Sequence, residues 1–131
     1  MDFCRQKGIQ EDLLFELGML KRAEDNGIYP MFRERIMIPV RNRWGRIIAY
    51  TAQYIGTNSK VPKYINSATS LIYPKGETLF GIDRAFRLRN PENIIIVEGA
   101  PDVLRMQSIG LENTVASLGT AWNENQLELL K

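Results

Sequence analysis

The sequence predicts a mixed α/β fold in which an N-terminal lobe of helix and antiparallel strands precedes a truncated, Rossmann-like half. Residues 35–55 contain two runs rich in β-branched and aromatic side chains with a turn between them, which predicts a β-hairpin. Residues 94–130 follow the order strand, helix, strand, helix, which is typical of a right-handed α/β unit. These two patterns predict the fold class.

The chain begins with a predicted short helix and a loop. Residues 10–17 open with polar side chains suited to a helix N-terminus and place three leucines on one face. Gly18 is a suitable end for this helix. Residues 21–30 are polar and contain an Asn-Gly turn signal, so we expect a loop there.

The middle of the chain is predicted to be mostly extended. The hairpin strands are expected at 35–40 and 46–55, and Pro39 favours an edge strand because it lacks an amide proton. A polar loop follows, and then a short third strand at 63–65. Residues 80–88 have the apolar spacing of a helix, which the following Asn-Pro pair is expected to end.

The spacing of apolar residues changes in the last third of the chain. Residues 94–97 (IIIV) form a continuous apolar run, as expected of a strand buried on both faces of a parallel sheet. Pro101 suits the first turn of the next helix, and 114–117 and 123–130 are the second strand and helix. Two parallel strands are too few for a stable doubly wound sheet, so we expect further sequence after Lys131.

Composition excludes several classes of site. Cys4 is the single cysteine and there is no histidine, which excludes an internal disulfide and a Cys/His zinc site and favours a reducing cytoplasm. No apolar run approaches the roughly 18 residues that a membrane-spanning helix needs.

Charge is distributed unevenly along the chain. Residues 31–89 hold 11 Lys and Arg against 3 Asp and Glu, whereas residues 90–131 hold 2 against 6. A basic middle before an acidic end indicates a surface for polyanions beside a site for cations. Ordinary solvated charges are the alternative.

Glu98 is the most informative residue in the sequence. It directly follows the predicted apolar strand, and ligands of open α/β sheets bind at the carboxyl ends of the strands. Asp102, at the start of the next helix, could face the same edge, and carboxylate oxygens are the ligands that Mg²⁺ prefers. From spacing alone the alternatives stay open: Asp102 could only complement the helix dipole, and Glu98 could be a solvated turn residue.

The stretch IIIVEGAPD…TVASLGT contains an EG..D element followed by an SLGT turn. It resembles the start of the Toprim domain in the catalytic core of bacterial DNA primases, and further motifs extend the resemblance along nearly the whole chain. FRERIMIPVRNRWGRIIAY resembles the basic hairpin of the core's N-terminal subdomain. PKYINS and YPKGETLFG match a further family pattern in the same order.

The resemblance implies roles for particular residues. Glu98 is the expected catalytic glutamate, and it would help to position Mg²⁺ or Mn²⁺ together with Asp102. The expected contacts to the template or to nucleotide phosphates are Arg33, Lys63, Tyr64, Asn66, Ser67 and Lys75. For Tyr64 packing is an open alternative, and Asn66 and Ser67 could instead cap a turn.

The resemblance also implies a function and a division of the chain. Residues 1–90 would be the template-binding N-terminal subdomain and residues 91–131 the first part of the Toprim domain. The parent enzyme would synthesise RNA primers from ribonucleoside triphosphates on single-stranded DNA, with a replicative helicase as partner. This piece is expected to be inactive alone because the family's DxD aspartates are missing. The alternatives are a non-catalytic nucleic-acid-binding module and another Toprim enzyme, such as a topoisomerase or nuclease.

Overall fold

A computed structural model describes residues 2–88 and 91–131, and it contains short helices and three small sheets. The helices are α1 Asp2–Gln6, α2 Glu11–Glu16, a 3-10 helix Lys75–Glu77, α3 Ile82–Ala85, α4 Ala100–Ser108 and α5 Glu124–Glu128. The strands are β1 Leu20–Arg22, β2 Ile28–Pro30, β3 Arg35–Arg41, β4 Ile47–Tyr54, β5 Tyr64–Asn66, β6 Ile95–Val97 and β7 Thr114–Ala116.

The first thirty residues contain more regular structure than their sequence predicts. Helix α2 is confirmed, but helix α1 was not predicted. The loop expected at 21–30 is wrong, because β1 and β2 pair there as a small antiparallel hairpin. The Asn-Gly turn is present, with Asn26 in the left-handed region at φ 62° and the Gly27 amide donating to the Asp25 carboxylate. These two segments, LKR and IYP, lack the run of β-branched residues that marked the equally short β6.

The central sheet has the order β3-β4-β5 and is antiparallel throughout. The hairpin and the third strand are confirmed to within one or two residues. Pro39 lies in β3, which is an edge strand, as its missing amide proton predicts. Val40 pairs with Ala49, and both side chains are buried.

The C-terminal part is a β6–α4–β7 unit in which the two strands are parallel. The strand and helix order is confirmed, and α5 follows β7. The expectation that β6 is buried on both faces is wrong, because Ile96 is half exposed. Among the described residues, only the face of the strand opposite Ile96 packs against the core. Helix α3 is shorter than the predicted 80–88, and the Asn-Pro pair expected to end it begins at Asn90, outside the described residues.

One hydrophobic core joins the hairpin to the parallel unit. Val40 and Ala49 of the hairpin cluster with Phe80, with Val103 of α4 and with Ala116 of β7. Phe80 also exchanges two backbone hydrogen bonds with Ala116, at 2.8 and 3.1 Å. The basic middle of the chain is therefore packed rigidly against its acidic end.

Candidate functional site

Glu98 and Asp102 lie at one surface depression at the carboxyl end of β6. Glu98 follows the strand directly, and Gly99 in extended conformation begins α4, which places Asp102 in the first turn of that helix. Both carboxylates are exposed and line a depression of about 410 Å³ together with Val97 and Arg105. Among the side chains that the structure describes, neither carboxylate forms an ion pair.

The acidic pair fits a hard cation in chemistry but not in number. Two exposed carboxylates at a strand end supply the oxygen ligands that Mg²⁺ prefers. Within residues 2–88 and 91–131, however, no three Asp, Glu, Cys or His side chains are grouped closely enough to hold a metal ion. Glu98 and Asp102 could therefore supply only part of a magnesium shell.

A tight turn after β7 forms the other wall beside Glu98. Because β6 and β7 are parallel, Ser117 emerges next to Glu98, and both line a second depression with Gly119 and Thr120. The Ser117 hydroxyl donates to the Thr120 carbonyl at 2.8 Å, and the Thr120 hydroxyl donates to the Ser117 carbonyl at 3.0 Å. Leu118 adopts a left-handed conformation at φ 53°. This reciprocal pair fixes the shape of the turn.

Asn66 connects the PKYINS motif to this turn. Its side-chain amide donates to the Leu118 carbonyl at 3.0 Å, and its Nδ2 atom also lies close to Gly119. Fifty-two residues separate the two partners in sequence. The hydrogen bond therefore brings the end of β5 next to the depression that Glu98 lines.

Arg33 and Lys63 share one end of the central sheet, the end at which β3 and β5 begin. Arg33 is exposed just before β3, and Arg35 stacks over Tyr54 at 5.4 Å while donating to the Lys63 carbonyl at 3.4 Å. The Glu34 carboxylate accepts from the Tyr54 hydroxyl and, in the described structure, pairs with neither arginine. Arg33 thus keeps its charge exposed to solvent, whereas the Arg35 guanidinium is held against the sheet.

The remaining predicted contacts differ in accessibility. Tyr64 is half buried, with the Lys63 ammonium 5.9 Å from its ring centroid. Ser67 is buried and its hydroxyl accepts from the Tyr50 amide at 3.0 Å, which makes it part of the sheet. Lys75 is half buried in the 3-10 helix, which packs against α5.

Two features of the described structure were missed by the sequence interpretation. Arg105 shares the depression of Glu98 and Asp102; its position one helical turn after Asp102 was a usable signal. Trp44 is largely exposed at the tip of the β3–β4 hairpin and carries Arg43 stacked on its ring. The run Arg-Asn-Arg-Trp-Gly-Arg contains three cations around one aromatic residue, which was a second signal.

Comparison with protein families agrees with the motifs. The model for the DNA primase catalytic core, N-terminal domain, matches residues 1–86. The chain belongs to the DNA primase family. The resemblance expected from the sequence is thereby confirmed for most of the chain.

Curated relatives extend the similarity beyond the family model. The DNA primase of Pasteurella multocida is 43% identical over 129 residues, which are 98% of this chain and 22% of that protein. DNA primases of Staphylococcus aureus are 36% identical over 133 residues, with 99% of this chain and 22% of theirs covered. The chain thus spans about a fifth of the length of the curated primases it matches.

Solved primase structures share the fold. A DnaG primase catalytic domain bound to single-stranded DNA superposes with a TM-score of 0.86 at 32% identity, covering 98% of this chain and 42% of that one. The Aquifex aeolicus primase structure, with its zinc-binding and RNA polymerase domains, superposes with a TM-score of 0.85 at 35% identity. The match covers 98% of this chain and 32% of that one. The predicted mixed α/β fold class is confirmed. No helix in the described part of the chain is long and apolar enough to cross a membrane.

Proposed function

We propose that this chain forms the opening part of a primase catalytic core whose whole protein synthesises short RNA primers on single-stranded DNA. Residues 1–90 would be the template-binding subdomain, and residues 91–131 the start of the Toprim domain. The substrates would be ribonucleoside triphosphates, and a replicative helicase in the cytoplasm is the expected partner. The similarity to primases over 98% of the chain supports this assignment.

The hydrogen bond from Asn66 to the Leu118 carbonyl is the observation that carries the proposal. A primer-synthesising site must hold a polyanionic template beside the carboxylates that manage phosphoryl transfer. In this chain the strand containing Asn66 belongs to the basic middle segment, and Leu118 belongs to the turn beside Glu98. A single contact thus joins the basic segment of the chain to the turn beside the acidic residues.

The basic residues would bind phosphates. Arg33 and Lys63 would contact the template backbone at one end of the central sheet, and Lys75 would contribute from the 3-10 helix. Tyr64 would offer part of its ring to a base. Asn66 would act by positioning the turn, and the buried Ser67 would only support β5.

Glu98 and Asp102 are the residues that would hold magnesium or manganese. The bound cation would supply charge stabilisation to the transferring phosphoryl group. Glu98 would also take part in proton transfer at this edge, as the resemblance to primases implies. Two carboxylates leave most of a magnesium shell to water, substrate phosphates and further ligands.

A chimeric primase tests the function. This chain would replace the matching segment of the Pasteurella multocida primase, with which it shares 43% identity. The chimera should incorporate ribonucleotides on single-stranded template in the presence of magnesium. Glu98→Gln keeps the size of the side chain but removes its charge, so primer synthesis should fall by orders of magnitude.

Glu92→Gln is the matched control. Glu92 is exposed and precedes β6 at its amino end, whereas Glu98 follows the strand at its carboxyl end. The control should retain activity, and thermal melting should show that both variants fold. An active Glu98→Gln chimera would make Glu98 a structural turn residue. A folded chimera that binds template but makes no primer would favour a non-catalytic binding module.

A further inference from the structure

The tip of the β3–β4 hairpin, residues 41–46, is held rigidly by hydrogen bonds. The Asn42 side-chain oxygen accepts from the amides of Trp44 and Arg46, at 3.1 and 3.0 Å. Arg41 donates to the Gly45 carbonyl at 2.7 Å, and Gly45 has φ 81°, a conformation natural to glycine. These hydrogen bonds therefore stabilise the turn that carries Trp44.

Trp44 is displayed to solvent at this rigid tip. Its side chain is 71% exposed, and the Arg43 guanidinium lies 4.6 Å from its ring centroid. Tryptophan has no role in making this turn, because Asn42 and Gly45 supply the turn chemistry. Burial of so large an exposed ring by a ligand would be favourable.

The charge around Trp44 is positive. Arg41, Arg43 and Arg46 flank it in sequence, and the Arg87 guanidinium lies near Gly45. Of these four arginines, only Arg87 has a carboxylate partner among the described side chains, Asp83 at 4.0 Å. Arginine binds phosphates in a bidentate fashion and also stacks on bases.

An apolar groove of about 300 Å³ opens beside Trp44. Ile72, Pro74 and Leu79 line it, together with one carboxylate, Glu77. A groove of this size admits a single planar ring, and Arg43, which also lines it, would complement a phosphate next to a base in the groove. The charge therefore favours a nucleotide over an uncharged or cationic occupant.

We propose that the hairpin tip binds single-stranded nucleic acid, with one base stacked on Trp44 and adjacent phosphates held by Arg43 and Arg46. This surface is separate from the end of the sheet that carries Arg33 and Lys63. Arg35 and Arg41 stand at opposite ends of β3, which corresponds to a separation of about 20 Å. The tip does not take part in catalysis; it is a second binding site for the single-stranded nucleic acid.

Intrinsic fluorescence of the chain tests the stacking contact. An oligothymidylate of about twelve nucleotides should quench tryptophan emission, because a base stacked on Trp44 covers its ring. Trp122 lines the depression beside Glu98, so Trp122→Phe leaves Trp44 as the one tryptophan of the sequence and should preserve the quenching. Trp44→Ala should remove the quenching that comes from this ring and weaken binding on the order of tenfold.

Salt dependence separates stacking from charge. The double variant Arg43→Ala/Arg46→Ala should reduce the slope of log affinity against log salt by about 0.7 for each phosphate that is no longer bound. Trp44→Ala should leave that slope unchanged. Arg5→Ala removes an exposed arginine of α1 and is the matched control, for which slope and quenching should stay as in the parent chain.

Several outcomes would overturn the proposal. One is a loss of quenching in Trp122→Phe, in which Trp44 is the remaining tryptophan; another is an unchanged slope in the double variant. Stronger quenching by an acidic peptide than by the oligonucleotide would assign the tip to a protein partner instead. The binding readout is independent of primer synthesis, so an inactive chimera that still shows Trp44 quenching would reject the proposed function and retain this site.

Discussion

Replacement of Gly81 by alanine tests the close packing between the basic middle of the chain and the parallel unit. Gly81 begins α3 with φ +84°, and a Cβ atom there would lie 2.6 Å from the Thr114 carbonyl oxygen. The same atom would lie 2.7 Å from a methyl group of Val103 and 3.0 Å from the Gln107 side-chain nitrogen. Real Cβ atoms do not occupy such positions, so the neighbours would have to move.

The magnitude follows from two separate costs. Alanine in the left-handed region costs about 1–2 kcal/mol. Overpacking of a filled core costs typically about 1–3 kcal/mol more. The Thr114 oxygen is backbone within β7, and Val103 is fully buried, so neither can yield cheaply. We expect Gly81→Ala to lower the free energy of unfolding by about 3 kcal/mol in total.

Gly110→Ala isolates the crowding from the backbone strain. Gly110 has φ +93° and no atom within 4 Å of its ideal Cβ, so alanine there should cost only the first of these two amounts. Urea unfolding followed by circular dichroism measures both variants, and the difference between them should be about 2 kcal/mol. Equal losses of stability for the two variants would show that α3 does not pack against β7 as closely as the structure places it.

Two further predictions concern stability. Burial raises the pKa of Tyr73 to about 12, so its contribution is intact below about pH 10 and is lost as pH rises toward 12. Over this range the free energy of unfolding should fall by about 2–3 kcal/mol more for the parent chain than for Tyr73→Phe, and Tyr29→Phe is the control. Parallel curves of unfolding free energy against pH for the parent and Tyr73→Phe would refute the prediction. Asn66→Ala should lower the free energy of unfolding by about 1 kcal/mol, and Asn66→Asp by more, because a carboxylate would face the Leu118 carbonyl. Urea titrations in which Asn66→Asp is more stable than Asn66→Ala would contradict this hydrogen bond.

Local sequence patterns were sufficient for the elements that dominate the fold. The hairpin β3–β4 has long strands and a strong turn signal, and the β6–α4–β7 unit has a clear strand-helix alternation. The same local reasoning failed for β1 and β2, whose segments LKR and IYP lack the run of β-branched residues that marked β6. It also overestimated the burial of Ile96. An apolar run shows that a strand can be buried on both faces, but it does not show which faces other elements cover.

The candidate site was only partly predictable for a related reason. Glu98 and Asp102 are close in sequence, so a strand end and the first turn of a helix are enough to bring them together. Asn66 and Leu118 meet across fifty-two residues, and Leu118 needs a left-handed conformation that no local pattern indicates. Ser67 looked like a groove residue because of its motif, whereas its burial depends on how β5 pairs with β4.

The shared core constrains how the proposed site could work. Val40 of the hairpin and Val103 of α4 belong to one buried cluster, so the basic sheet and the acidic edge cannot move independently without opening that core. The proposed boundary near residue 90 would therefore divide the sequence without creating a hinge. Template phosphates bound at Arg33 or Lys63 would then stand at a fixed distance from Glu98. Such preorganisation favours phosphoryl transfer, because charges already in place need no reorganisation during the reaction.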